Sequence, residues 1–230
     1  MIKVLKSGSS GNCYIVKVQE EALIIECGIG INDILKGFKF DISKVKGCIL
    51  SHSHGDHSKS VKKIIEKSID VFTGKETIKE LKISSHRIHS IESRKTFKIG
   101  GFTILPFEAQ HDVQCMGYLI DHPSIGKILF ATDTYYLKSK FQNVDHVLIE
   151  CNYSEDVLPT LPPWRARTIK SHMSLETLKE TLQTWNLEKT KDITLIHISG
   201  ENGDSERFQK EIEEITGIKT YAAMPGLEIK

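Results

Sequence analysis

The sequence predicts an α/β fold in which two β-sheets lie between layers of helices. Three observations carry that expectation. Short strand-like runs bracketed by glycine turns fill the N-terminal half, residues 128–131 and 147–150 are apolar without the alternation of a half-exposed strand, and the last third alternates helix, strand and helix. In chain order, residues 2–5, 14–18, 23–26 and 48–50 are the first expected strands, two of them flanked by Ser7-Gly8-Ser9-Ser10-Gly11-Asn12 and Gly28-Ile29-Gly30. The first of these turns lacks the lysine and the strand-to-helix setting of a phosphate loop. It is expected to be a hairpin turn whose donors, Ser10 and Asn12 among them, face a site and its substrate. Residues 58–65 place Val61, Ile64 and Ile65 on one face with lysines between, a short amphipathic helix. Residues 97–99, 102–107 and 116–120 are further strands, with Gly100-Gly101 as a tight hairpin between the first two. Residues 128–131 and 147–150 then form central strands covered on both faces. Leu175, Leu178 and Leu182 recur at helical spacing in a helix over 174–185 that starts on a Ser174-x-x-Thr177 cap. A strand over 193–198 and a helix over 205–215 complete the pattern. With no repeat, low-complexity tract or linker, residues 1–230 are expected to form one domain.

The chain has 230 residues, 39% of them hydrophobic, enough for a sizeable core. Thirty-one basic residues against 30 acidic ones give a net charge of +1, which excludes a global basic field. A polyanionic partner must then be held by local patches. No apolar run approaches the ~20 residues of a membrane span, and residues 1–8 lack the apolar stretch of a signal peptide, so a cytosolic location without membrane partners is expected. Five cysteines with no C-x-x-C spacing fit neither a disulfide framework nor a cysteine-rich zinc module. They are expected to be buried, reduced thiols.

The histidines carry the chemistry. Ser51-His52-Ser53-His54-Gly55-Asp56-His57 follows an apolar strand, an H-x-H-x-D-H pattern that puts three imidazoles and a carboxylate on one loop. In an extended segment His52 and His54 project from the same face and can grip one ion, while a turn at Gly55 aims Asp56 and His57 at a neighbouring position. A complete site needs ligands from elsewhere, and three other apolar runs end in them: Phe107-Glu108-Ala109-Gln110-His111-Asp112, Leu129-Phe130-Ala131-Thr132-Asp133-Thr134 and Leu195-Ile196-His197-Ile198-Ser199.

On these motifs the sequence resembles the metallo-β-lactamase superfamily, from Gly8 to about Asn202. The resemblance implies an αββα four-layer sandwich with the site at the sheet edges. It implies that His52, His54 and His111 bind one divalent metal, that Asp56, His57 and His197 bind a second, and that Asp133 bridges them. Asp133 at the bridging position is similar to the hydrolase branches that cleave phosphodiesters or thioesters. The Ser7–Asn12 turn, Glu150-Cys151-Asn152-Tyr153, Pro162-Pro163-Trp164-Arg165-Ala166-Arg167 leading to Ser171-His172-Met173-Ser174, and His197-Ile198-Ser199-Gly200-Glu201-Asn202 resemble the YycJ/WalJ branch of DNA exonucleases. His-Met-Ser before a helix, followed by a strand ending His-x-Ser, also resembles ribonuclease Z. Ser171 stands where the branch usually has Gly, Cys151 where it has Ser, and the last stretch reads Gly-Glu-Asn.

Mixed imidazole and carboxylate ligands suit Zn, Mn or Fe. Asp56 is also a candidate for orienting the attacking water, and Glu150 and Asp112 are candidates for hydrogen-bonding the ligand imidazoles from behind. His172, in a polar loop before a helix, has three candidate roles: acid to the leaving group, contact to substrate phosphate, or rival to His197 for the metal. Trp164, Arg165 and Arg167 form a basic, aromatic loop suited to phosphates and a stacked base, the alternative being a solvated loop with Trp164 packed on the core, and Lys59, Lys62, Lys63 and Lys67 extend it or form a solvated face. The leading expectation is a metal-dependent phosphodiesterase acting on DNA ends, an exonuclease. A glyoxalase-II-like thioester hydrolase and a metal-binding protein without turnover are the alternatives.

Overall fold

The computed structural model describes residues 1–230, the side chains of Arg167 and Thr168 excepted. Fourteen strands form two seven-stranded sheets. The first sheet holds β1 (Ile2–Lys6), β2 (Cys13–Val18), β3 (Glu21–Ile25), β4 (Val45–Ile49), β5 (Val71–Gly74), β6 (Ile88–Ile91) and β14 (Glu228–Ile229), in the order β14-β1-β2-β3-β4-β5-β6. The second holds β7 (Phe97–Ile99), β8 (Phe102–Ala109), β9 (Cys115–His122), β10 (Gly126–Ala131), β11 (His146–Glu150), β12 (Asp192–Ile196) and β13 (Lys219–Ala222), in the order β13-β12-β11-β10-β9-β8-β7. In each sheet antiparallel pairing gives way to parallel: β3, β4, β5 and β6 run parallel in one, and β10, β11, β12 and β13 in the other. Since β8 and β10 both pair antiparallel with β9, β8 points the same way as β10.

The central strands of the parallel regions are buried on both faces, and their residues divide between two cores. Ile128 and Phe130 of β10 face the central core between the sheets, whereas Leu129 and Ala131 pack under α6 (Leu175–Gln183) and α7 (Ser205–Thr216). On the other side Ile24, Cys48 and Leu50 meet α1 (Ile31–Gly37), α3 (Val61–Glu66) and neighbouring apolar side chains. The layer order is therefore helix, sheet, sheet, helix, as expected. Tyr14 of β2 and Phe130 of β10 meet edge-on across the central layer, ring centroids 5.3 Å apart. Phe130→Ala is expected to cost about 3–5 kcal/mol of stability by opening a cavity there, measured by urea unfolding of metal-loaded protein; a loss below about 1 kcal/mol would mean that the sheets collapse to fill the space.

The Ser174 cap forms as predicted, its hydroxyl accepting from Thr177 N–H at 3.1 Å. The helix expected over 58–65 is instead split into α2 (Gly55–Ser58) and α3, with α2 carrying part of the histidine loop. The Trp164 stretch, expected as a loop, forms α5 (Pro163–Ile169), where Pro163 occupies the first helical position that its fixed φ favours. Short elements with few apolar residues escape sequence reading: α1, β5, α4 (Lys75–Leu81), β6, β13 and β14. All five cysteines are free and buried, and no helix among the described residues is long and apolar enough to cross a membrane.

Candidate metal centre

The ligand-type side chains collect where the strands of both sheets end. Glu26 follows β3, Ser51 and His52 follow β4, His111 follows β8, Asp133 follows β10, Glu150 ends β11 and His197 follows β12. Carboxyl ends of parallel strands are where an α/β sheet leaves its backbone free to turn and present side chains. Three of these residues pay for the presentation in backbone strain: Glu26, Asp133 and His197 adopt left-handed φ values of 62°, 47° and 53°.

Two clusters form around Asp133. The ligand atoms of His52, His54 and His111 lie within 4.8 Å of one another, as do those of Asp56, His57 and His197. The Asp133 carboxylate stands between them, Oδ1 3.2 Å from His57 Nε2 and Oδ2 3.6 Å from His111 Nε2 and 3.9 Å from His52 Nε2. His54 Nδ1 faces His111 Nε2 at 3.4 Å, and Asp56 Oδ2 lies 3.3 Å from His57 Nε2 and 3.4 Å from His197 Nε2.

The residues fit a pair of cations. His52 Nε2 is wholly buried with no hydrogen-bond partner, which suits a lone pair aimed at a metal ion in the cluster. Burial and the neighbouring imidazoles, His57 foremost, push His52 down, and burial likewise pushes His111 down, so both are neutral and able to donate to a metal. In the other cluster burial opposes charge on the imidazoles, yet Asp133, Asp56 and Glu150 outweigh it and push His197 up to about 10. Burial likewise opposes ionisation of Asp133, but His197, His57 and His52 hold it well below the usual carboxylate range. Both directions report an anionic hollow that lacks positive charge.

Behind the ligands sits a layer of buried acceptors. Glu150 Oε1 accepts from His197 Nδ1 at 2.8 Å and His172 Nδ1 at 2.7 Å, while its Oε2 accepts from the backbone N–H of Thr134 at 2.8 Å and Met173 at 3.2 Å. This fixes the Nδ1–H tautomer of both rings and frees their Nε2 atoms. Glu26, buried after β3, stands behind His57 as an ion-pair partner, with Oε2 3.4 Å from Nδ1 and Oε1 accepting from Ser51 N–H at 3.0 Å. Sequence reading missed Glu26; its one signal is a carboxylate closing an otherwise apolar strand. Asn152 was also missed as a support, its amide donating to the His197 carbonyl at 2.7 Å. Asp112 is exposed at 59% of its side chain and reaches His111 Nε2 at 3.0 Å from the rim.

The glycine-rich turn has a different task from the one expected. Asn12 is fully buried, so it does not face substrate; its N–H donates to the Asp56 carbonyl at 2.7 Å and its side chain lies 3.1 Å from His57 Nε2. Gly28 N–H donates to the Asn12 carbonyl at 2.9 Å, and Cys27 N–H to the His57 carbonyl at 2.8 Å. The turn and Gly28 thus clamp the metal loop from below. Ser10 is exposed on this turn, and its neighbour Ser9, rather than Ser10, lines the cavity beside the centre.

That cavity, about 180 Å³, is lined by His172 and His197 together with Ser9, Arg165, Ser199 and Asn202. Arg165 donates to Glu201 Oε2 at 2.6 Å. Trp164 is 68% exposed, not packed in the core. The side chain of Arg167 lies outside the described residues. Lys59, Lys62, Lys63 and Lys67 are all exposed, and Lys63 pairs with Glu66 at 2.9 Å.

The beta-lactamase superfamily domain matches this chain over residues 24–198. Among curated proteins, the chain is 26% identical over 226 residues to "Exodeoxyribonuclease WalJ" of Streptococcus pneumoniae, covering 88% of this chain and 83% of that protein. It is 24% identical over 246 residues to "Exodeoxyribonuclease YycJ" of Bacillus anthracis, covering 98% and 92%. Among solved structures, the metallo-beta-lactamase fold protein YhfI from Bacillus subtilis superposes with a TM-score of 0.78 at 19% identity, covering 98% of this chain and 97% of the other. The metallo hydrolase Igni18 from Ignicoccus hospitalis superposes with a TM-score of 0.73 at 17% identity, covering 100% and 99%. Strand-end ligands, layer order and these likenesses agree: the chain belongs to the beta-lactamase superfamily.

Proposed function

We propose that residues 1–230 act as one domain, a cytosolic two-metal phosphodiesterase that degrades DNA from its ends. The observation that carries this reading is the Asp133 carboxylate between two clusters of ligand atoms, His52, His54 and His111 on one side and Asp56, His57 and His197 on the other. The names of the Streptococcus and Bacillus relatives support DNA as the substrate. His52, His54 and His111 would hold one divalent ion and Asp56, His57 and His197 a second, Zn or Mn by the donor set and Fe as a third candidate, and the pair would supply a nucleophile from water near neutral pH and charge stabilisation for an in-line displacement.

The protein groups divide the remaining work. Asp133 is almost wholly buried, whereas the Asp56 side chain is 24% exposed, so Asp56 is the carboxylate that can hold and orient the attacking water. His172 is 17% exposed at the rim, with Nδ1 held by Glu150. Burial opposes its charge, but Glu150 and Asp133 raise its pKa above the ordinary histidine value, so it can carry the proton that the leaving oxygen takes. Arg165, with Trp164 on the same helix, supplies charge and an aromatic face for the strand.

The test is degradation of 5′-phosphorylated, 3′-labelled duplex DNA by metal-stripped protein resupplied with Mn²⁺ or Zn²⁺. Stepwise, metal-dependent loss of nucleotides is expected, with none from the Asp56→Ala/His57→Ala protein. Absence of cleavage of duplex, single-stranded DNA and RNA, with metal bound, would overturn the nuclease reading and turn attention to small esters and thioesters.

A further inference from the structure

The cavity beside the metal centre is built for an anion. Its described lining offers hydroxyls from Ser9 and Ser199 and the Arg165 guanidinium, with no carboxylate, while the Asn152 and Asn202 amides are held by the His197 carbonyl and Ser199 Oγ. Ser199 Oγ accepts from Asn202 N–H at 3.2 Å, which leaves its own proton to donate inward. The Arg165 charge is nevertheless spent in the free protein, because Glu201 reaches it at 2.6 Å from the turn after β12. That acid is 78% exposed at its side chain, and the pair joins α5 to the loop carrying His197.

We propose that Glu201 is a displaceable counter-ion for Arg165, and that the terminal phosphate of a DNA strand takes its place in this cavity. The inference rests on the phosphodiesterase reading and adds to it a selection for phosphorylated ends. An exposed ion pair is weakly held in water and pays the entropy of two long side chains. A terminal phosphate carries roughly −1.5 to −2 charges and three acceptor oxygens, matches the arginine fork in bidentate fashion, and also reaches the Ser199 hydroxyl. An internal phosphodiester carries a single charge and so competes less well with the Glu201 carboxylate. Glu201 therefore sets a threshold: a ligand must outcompete a carboxylate to enter.

The test compares two oligonucleotides of one sequence, 5′-phosphate and 5′-hydroxyl, with metal-loaded protein, through the ratio of their KM values. The phosphorylated end is expected to have a KM lower by on the order of tenfold, as one charge-assisted bidentate contact gives. Arg165→Met is expected to bring the ratio to one, and Glu201→Gln to widen it by about threefold, the scale of an exposed ion pair. The double substitution should match Arg165→Met alone. Cleavage with equal KM for both ends, or an unchanged ratio in Glu201→Gln, overturns the proposal and leaves the phosphodiesterase reading in place. If no nucleic acid is cleaved, that reading fails separately, and calorimetry with inorganic phosphate decides the cavity: tighter binding to Glu201→Gln and weaker binding to Arg165→Met support the gate, and equal affinities overturn it.

Discussion

Gly28→Ala is expected to dismantle the metal loop, while Gly55→Ala, within that loop, leaves it standing. A Cβ at Gly28 would sit 1.6 Å from the Asp56 carbonyl oxygen, 2.1 Å from its carbon and 2.7 Å from His57 N. All three are backbone atoms, so no side-chain rotation relieves the contact. The loop must retreat by more than an ångström, and it takes Asp56 and His57 with it. Retreat also breaks the Cys27 N–H to His57 carbonyl bond and strains the bond from Asn12 N–H to the Asp56 carbonyl. Displacement of catalytic groups by about 1 Å costs on the order of 10²-fold in rate, so a loss of at least that size is expected in the exonuclease assay. Metal content should fall in parallel. A Cβ at Gly55 meets nothing within 4 Å, and the residue opens α2, where alanine is a better helix former. Its metal content and rate should stay near those of the parent. Equal metal content in the two variants would mean that the clamp below the loop is not what holds Asp56 and His57 in place.

This contrast also shows which parts of the molecule were legible in the sequence. His52, His54, His111, Asp133 and His197 were visible because imidazoles and carboxylates are out of place at the ends of apolar strands, and the structure brings them together. The long apolar strands β10 and β11 and the capped helix α6 were visible for the related reason that burial on both faces leaves a continuous hydrophobic run. By contrast, β5, β6 and α4 each contribute few apolar residues and owe their form to neighbours that pair or pack with them. Glu26 was hidden since a single acid after a strand is normally a surface residue; only the three-dimensional approach of His57 Nδ1 gives it a task. Asn12 pointed toward a site, but whether it touches substrate or the loop beneath depends on the depth of a turn, and burial decides for the loop. The Trp164 stretch reads as a loop in sequence and folds as a helix, because seven residues make less than two helical turns of pattern.

Glu150 carries the second large effect. It is buried at the end of β11, and its two oxygens receive four donors: His172, His197 and the N–H groups of Thr134 and Met173. Burial opposes its ionisation, and His172 and His197 hold the carboxyl below its ordinary value all the same. Glu150→Ala leaves those donors buried without an acceptor, and breaking a buried charge pair in this way costs about 3–5 kcal/mol. Glu150→Gln keeps the volume but replaces one acceptor oxygen by an NH2 group. If that group faces the imidazoles, the Nδ1–H tautomer of His197 is no longer favoured, and Nε2 is no longer held ready for a metal ion that Asp56, His57 and His197 could hold together. Removing such a support typically lowers metal affinity by 10–100-fold. The expected result for Glu150→Gln is therefore a protein destabilised in chelator, though less than Glu150→Ala because one oxygen still accepts, with metal affinity reduced by about 10–100-fold and a larger loss of rate because His172 loses its anchor as well. Chelator competition measures the first quantity and single-turnover cleavage the second. Metal affinity matching the parent, with rate alone reduced, would confine Glu150 to the orientation of His172; parental values of both would mean that the imidazoles are held by their ligand geometry without the carboxylate.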